Sequence, residues 1–316
     1  INNRSGGKVQ VGEETRQRVL DAVAQLGYHP DASARSLRTR RTQLLSVMVP
    51  DLTNPFYPLL IRGAQAVAAE HGCHILVYDS DDRADNERDF VQAMLSRVVD
   101  GAILVAFHLE PDQVRLLTQT GIAVVGIGDS MAAVGVDVVV PGEREAVLAL
   151  MRHLIGRGHR RIAHLAGPPD TPPGRVRLQS YREALAEAGL AFDERIVRYG
   201  DFRRARTGSL AQSLFQSKTD PERPTALFAA NDVMAIEAMR ALTKMGWRVP
   251  EDVAVCGFDN IPEAQMVVPA LTTVDQHPEA IGRQAALILM QRIREPLASA
   301  PLQVSTPCSV VVRESV

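Results

Sequence analysis

From Leu44 onward the chain alternates short β-rich runs with longer stretches of helical period, and that alternation constrains its fold more than any other feature. The runs are "LLSVMVP" from Leu44, "HILVYDS" from His74, "GAILVA" from Gly101, "AVVGIG" from Ala123, "RIAHLAG" from Arg161, "IVRYGD" from Ile196, "TALFAAN" from Thr225 and "DVAVCGFD" from Asp252. Between them lie stretches such as "PLLIRGAQAVAAEHG" and "GSLAQSLFQSK", whose apolar residues recur at helical spacing. A strand that is apolar at nearly every position is buried on both faces, which happens when helices cover both sides of a parallel sheet. The expected class is doubly wound α/β. Eight strands exceed the content of one small sheet and 316 residues suffice for two cores, so two similar subdomains are expected.

The first 43 residues follow a different rule. The whole chain is nearly neutral, with 35 basic and 37 acidic residues, yet this end is basic. Arg4, Lys8, Arg16, Arg18, Arg35, Arg38, Arg40 and Arg41 outnumber Glu13, Glu14, Asp21 and Asp31. A basic end on a neutral body implies an anionic partner for that end, the alternative being a merely solvated charged face. "EETRQRVLDAVAQLGYHP" has an amphipathic helical pattern, with Val19, Val23 and Leu26 on one face and Gly27 and Pro30 as stops. In "DASARSLRTRR", Asp31 can cap a short helix running through Leu37. One leucine among arginines suits a minor groove, where guanidiniums meet phosphates and an apolar wedge enters between base steps. A linker helix whose leucine packs on the next domain fits the composition equally well.

Beyond these patterns, the residues carry a resemblance. "NNRSGGKVQVGEETRQRVLDAVAQLGYHPDASARSLRTRRT" resembles the end of the DNA-binding headpiece of the LacI/GalR family of bacterial transcription regulators. "VPDLTNPFY", "RVVDGAILV", "GHRRIAHLAG", "FAANDVMAIEAMRAL", "VPEDVAVCGFDNIPEA" and "PALTTVDQ" resemble that family's core, in the same order. The resemblance implies a partial helix-turn-helix headpiece and hinge helix over residues 1–43, followed by a type I periplasmic-binding-protein-like core. Its N-subdomain is expected at residues 44–141 plus 274–302, and its C-subdomain at 142–273 plus 303–316. It further implies operator DNA, a small polar effector and a second copy of the chain as partners, in the cytoplasm. Asn3, Arg4, Ala34, Arg35, Leu37 and Arg38 fall at its DNA-contacting positions, with Leu37 as the wedge. The first two helices of such a headpiece should precede Ile1, so an upstream piece is expected.

The effector should lie between the subdomains, at the C-terminal ends of strands. By resemblance, Asn54, Phe56 and Tyr57 face that cleft. Arg177 is the guanidinium that forks onto ligand oxygens, and Phe202 the ring that stacks on a sugar's apolar face. Asn231 and Asp259 suit ring hydroxyls, Gln276 closes the pocket, and Asp129 reaches it from the fourth strand. A cap or turn role is the alternative for each Asn and Asp. The family's common Asp-Asn before the next helix is Gly142-Glu143 here, so no contact is carried over to that pair. This residue set favours a sugar or sugar acid, though a purine or nucleoside could use much the same groups. Leu60 and Ala64, on the helix from Phe56, are candidates for a dimer contact or for the core.

Other classes are weaker. Cys73, Cys256 and Cys308 lie in or beside apolar runs with no disulfide or metal spacing. His153, His159 and His164 do not share one helix face, and no metal or cofactor is expected. "GIGDSM" from Gly126 begins like a dinucleotide fingerprint but has Met131 where a third glycine belongs. No nucleophile–base pair or phosphate loop marks an enzyme. A periplasmic-type solute-binding protein for a sugar shares the expected core, but has no use for the basic segment. No apolar run is long enough to span a bilayer.

Overall fold

The computed structural model describes residues 12–25, 41–295 and 300–316. The chain divides into two compact units, Ile1–Gln43 and Leu44–Val316. In the first, helix α1 spans Glu13–Gln25 and carries Glu13 and Glu14 in its first turn, where negative charge meets the positive end of the helix dipole. Arg16 bridges back to Glu13 at 3.1 Å, and Val19 and Leu20 are exposed. The candidate DNA contacts Asn3, Arg4, Ala34, Arg35, Leu37 and Arg38, and the helix expected up to Leu37, lie outside the described residues.

The second unit contains two parallel sheets. Its strands are β1 (Leu44–Val49), β2 (His74–Asp79), β3 (Gly101–Leu104), β4 (Ala123–Ile127), β5 (Asp137–Pro141), β6 (Ile162–Ala166), β7 (Val197–Tyr199), β8 (Ala226–Ala229), β9 (Ala254–Cys256), β10 (Thr273–Asp275), β11 (Gln303–Thr306) and β12 (Ser309–Val311). Its helices are α2 (Phe56–Glu70), α3 (Ala84–Met94), α4 (Pro111–Gln119), α5 (Glu143–Gly156), α6 (Pro172–Glu187), α7 (Thr207–Leu214), α8 (Asp232–Lys244) and α9 (Pro278–Arg294). All eight runs read from the sequence are strands. The first sheet has the order β11-β5-β4-β3-β1-β2 and the second β7-β6-β8-β9. β3, β6 and β8 are buried at every position, as helices on both faces require. Edge strands differ: Leu76 and Val77 on β2 and Tyr199 on β7 are exposed.

The late crossings depart from the boundaries expected at 274 and 302. Residues 272–275 stay beside the second sheet, because Gly257 donates to the Thr272 carbonyl at 3.0 Å and Asp259 to that of Val274 at 2.8 Å. The chain therefore leaves the second sheet after Asp275 rather than at Val274. Residues 303–306, expected in the C-subdomain, form β11 at the edge of the first sheet, parallel to β5. Buried Asp137 fixes this register. It accepts the Leu302 amide at 2.7 Å and both prongs of Arg292, at 2.6 and 2.8 Å. Only after Thr306 does the chain return, as β12 antiparallel to β10.

Helices α2 and α9 cross with their backbones touching. A methyl at Gly63 would overlap the Glu279 carbonyl, and one at Gly282 the Leu60 carbonyl. Leu60 and Ala64 are fully buried against this crossing within a single chain. They take the core role, and the exposed positions of α2 are Pro58, Arg62, Gln65, Ala66, Ala69 and Glu70.

In the second lobe, His164 on β6 is fully buried between Phe228 and Tyr181, with ring centroids 4.6 and 4.9 Å away. Its Nδ1 donates to the Phe228 carbonyl at 2.9 Å, which leaves Nε2 as a buried acceptor without a partner among the described residues. Burial, with Arg177 nearby, lowers its pKa from 6.5 to about 4. Between those values the unfolded chain binds a proton that the folded protein refuses, so stability falls as pH drops through the window. The loss should reach about 3 kcal/mol near pH 4. In urea titrations at pH 7 and pH 4.5, His164→Phe is expected to lose less stability than the parent. An equal loss would show that this imidazole does not titrate as described.

Candidate functional site

A cavity of about 470 Å³ opens where the C-terminal ends of strands from both sheets face each other. The turn after β1 contributes Asn54 and the start of α2 contributes Phe56 and Tyr57. Asp129 follows β4, Arg177 lies on α6, and Phe202 follows β7. Asn231, Asp259 and Gln276 follow β8, β9 and β10. All nine effector candidates read from the sequence thus meet in one cavity.

Arg177 is the hub. Its side chain is only 6 % exposed and meets Glu143 with two parallel bonds, Nε to Oε2 and Nη2 to Oε1, both at 3.0 Å. Nη1 donates to the Ala230 carbonyl at 2.6 Å, and the Phe258 ring covers one face of the guanidinium at 4.0 Å. A buried guanidinium needs this satisfaction, and the bidentate geometry fixes its orientation. Glu143 sits at the first position of α5, where its charge also suits the helix dipole.

Asp259 is a buried residue of the cavity wall. It accepts Gln276 Nε2 at 2.7 Å and lies 3.9 Å from Arg177 Nη1. Burial pushes its carboxyl up to about 7, opposed by Arg177 and by hydrogen bonds from Gln276 and Asn54. The Tyr57 phenol is raised well above its usual range, first by burial and then by Asp259. Asn54 also accepts the Phe56 amide at 3.1 Å, so it starts α2 as well as lining the cavity. Asn231 has a similar double role. Its oxygen caps α8 through the Met234 amide at 2.9 Å, and its amide holds the Phe202 carbonyl at 3.0 Å. Asp129 stands exposed on the rim at the head of a short 3-10 turn.

Phe202 adopts a φ of +61°, a costly conformation for a bulky side chain. Asn231 holds its carbonyl, and its ring lies directly over Gly167, whose missing side chain leaves the space. Asp82 and Asp259, also on the cavity wall, likewise have positive φ. Gly167→Ala should therefore displace the ring and weaken effector binding by about tenfold, the scale of one lost aromatic contact. Calorimetric titration of this variant with the parent's effector checks it, and unchanged affinity would remove the ring from the contact set.

Sequence reasoning missed several wall residues. Glu143 departs from the family pattern at its position, and its role shows only through its pairing with Arg177. Arg203 reaches from the second lobe to Asp51 at 3.2 Å and Asp81 at 2.5 Å in the first, bridging the cleft. Asp82 pairs with His108 at 3.1 Å, while buried Glu87 accepts the Phe107 and His108 amides at 2.9 Å each. Asp82 lies in the stretch "DSDDRADNERD", where turn and helix-start roles mask its place on the cavity wall, and Glu87 in the same stretch supports the 107–108 loop from outside that wall. The dinucleotide-like glycines have other reasons: Gly126 makes room for Met131, and Gly128 has a φ of +99°. Among the described residues no His, Cys, Asp and Glu group has metal-ligand geometry, and no helix is long and apolar enough to cross a membrane.

Comparison with known proteins agrees with this architecture. Residues 151–316 match the family model of a periplasmic binding protein-like domain. The chain is 34 % identical to the HTH-type transcriptional regulator CelR of Thermobifida fusca, over 98 % of this chain and 92 % of CelR. A solved CelR–cellobiose complex superposes with a TM-score of 0.78 at 32 % identity, over 97 % of this chain and 92 % of that one. The HTH-type transcriptional repressor CytR of Escherichia coli K12 is 32 % identical, over 90 % of this chain and 83 % of CytR. A LacI-family transcriptional regulator from Sanguibacter keddieii superposes with a TM-score of 0.76 at 31 % identity, over 87 % of this chain and 98 % of that one. These relatives are regulators and not enzymes. With its α/β core and the ordered motifs of its sequence, the chain belongs to the LacI/GalR family of transcription regulators.

Proposed function

We propose that this protein is a DNA-binding repressor, acting in the cytoplasm as a homodimer, whose effector is a saccharide held in the cavity between the two sheets. The observation that carries this reading is the cavity wall itself. An aromatic ring, Phe202, stands beside the buried polar groups of Arg177, Asn231, Asp259 and Gln276. A ring gives an apolar platform for a sugar face, and fixed donors and acceptors match ring hydroxyls. The volume equals roughly fifteen waters of bulk liquid, more than one pyranose ring fills. CelR, solved with cellobiose, is a relative of matching length, so a disaccharide is the first candidate.

Effector in the cavity would bias the angle between the lobes, which Arg203 already bridges. In a dimer that angle would set the spacing of two basic segments containing Arg35 and Leu37, coupling sugar binding to DNA binding. Exposed apolar residues, Leu76 and Val77 on β2 and Met266 and Val268 beyond β9, support a second copy as partner. The test is selection of duplexes from a random library by the full-length protein, then anisotropy titration of the selected DNA with and without cellobiose. A sugar-dependent shift in affinity is expected, and Leu37→Ala should weaken operator binding by about tenfold through loss of the wedge. DNA binding that no saccharide alters would overturn the effector assignment, and undiminished affinity in Leu37→Ala would overturn the wedge.

A further inference from the structure

We propose that Glu143 determines the charge of the effector: by occupying the Arg177 fork it makes the cavity select uncharged saccharides against those bearing a carboxylate. The inference rests on the saccharide reading above and narrows it. An acid sugar is bound by a guanidinium with a free edge. Arg177 has its Nε/Nη2 edge filled by Glu143, its Nη1 turned to the Ala230 carbonyl and one face under Phe258. The two other guanidiniums on the wall are also committed, Arg203 to Asp51 and Asp81, and Arg144 to Glu145 and Glu183.

The remaining wall charge is negative. Seven carboxylates and three guanidiniums line the cavity. Among the described residues Asp129 has no cationic partner, and Asp82 is paired with the His108 ring and only more distantly faces Arg203, which is itself bound to Asp51 and Asp81. A ligand carboxylate would meet like charge in a partly desolvated space, while neutral hydroxyls can donate to these same oxygens. Glu143 decides the balance because it is the group that neutralises the one buried guanidinium. Replacing it with glutamine retains an oxygen for Arg177 but removes the opposing charge.

The test is calorimetric titration of the full-length protein and of Glu143→Gln with two matched pairs, cellobiose against cellobiouronate and glucose against glucuronate. Each pair differs only by a C6 carboxylate. The parent should bind the neutral member at least about tenfold more tightly, and Glu143→Gln should narrow that ratio by about tenfold, chiefly by gaining the acid sugar. Glu143→Asp, which keeps the charge, should retain the preference for the neutral member. A parent that binds both members of a pair equally, or prefers the acid, overturns the inference without reference to any variant. A folded Glu143→Gln with the parent's ratio removes Glu143 as the selector while leaving the saccharide reading intact. A parent that binds none of the four sugars, but does bind a nucleoside, overturns the saccharide reading and the inference with it.

Discussion

Arg177→Ala is expected to weaken effector binding by more than about 100-fold and to lower folding stability by about 3–5 kcal/mol, because it strands one member of a buried ion pair. The stability loss follows from what Arg177 does without any ligand. Glu143 accepts two of its bonds, Ala230 a third, and Phe258 packs on its face. Alanine leaves the Glu143 carboxylate and the Ala230 carbonyl facing a hole. A thermal melt should show a fall of about 10 °C for a domain of this size. The double variant Arg177→Leu with Glu143→Leu separates the two effects. Replacing both charges with apolar groups should recover most of the stability and none of the binding, since an apolar pair can hold a fold as well as an ion pair. An unchanged melting temperature in Arg177→Ala would contradict the hub role.

The second large effect is expected at the crossing of α2 and α9. Gly282→Val should cost about 3 kcal/mol or more, the upper range for overpacking, because the obstacle is backbone rather than a side chain that can turn aside. Its Cβ would overlap the Leu60 carbonyl oxygen and lie 3.0 Å from the Ala64 amide nitrogen. Gly63→Val meets the Glu279 carbonyl in the same way. The two helices would have to separate. Because α2 begins with Phe56 and Tyr57, that separation also moves one wall of the cavity. Urea denaturation of both variants checks the claim. A loss below about 0.5 kcal/mol, the scale of ordinary surface substitutions, would mean that the crossing is looser than the backbone contact implies.

Much of the fold was legible in the sequence because a doubly wound sheet requires unusual strands. A run such as "LLSVMV", apolar on both faces, has little place outside a covered parallel sheet. β5 escaped notice although "DVVV" has the same character, since the strand ends on Pro141, just before Gly142, and reads as the end of a loop. β10 has three residues, too few to show a period. The placement of β11 could not be read at all. Nothing in "QVST" says which sheet it joins, and the decision is made by Asp137 and Arg292, 155 residues apart in sequence.

The candidate site was legible where resemblance reached it and obscure where side chains answer to one another. Arg177, Phe202 and Asp259 stand at positions that strand ends make prominent. The double use of Asn231, as helix cap and as support for the Phe202 loop, depends on a backbone carbonyl no pattern reveals. Glu143 was passed over because it differs from the expected residue, yet that difference is what neutralises Arg177. Leu60 and Ala64 show the limit of helical periodicity. It finds an apolar face, but only the Gly63 and Gly282 contact shows that the face meets α9.

The central claim is that the cavity binds a saccharide. The most direct measurement is a thermal-shift screen of the protein against disaccharides, pentoses, hexoses, sugar acids, sugar phosphates and nucleosides. A neutral saccharide at a hundred times its dissociation constant should add about 2.7 kcal/mol of stability, raising the melting temperature of the parent but not of Arg177→Leu with Glu143→Leu. Stabilisation by nucleosides alone, or equal stabilisation of the parent and the double variant, would contradict it.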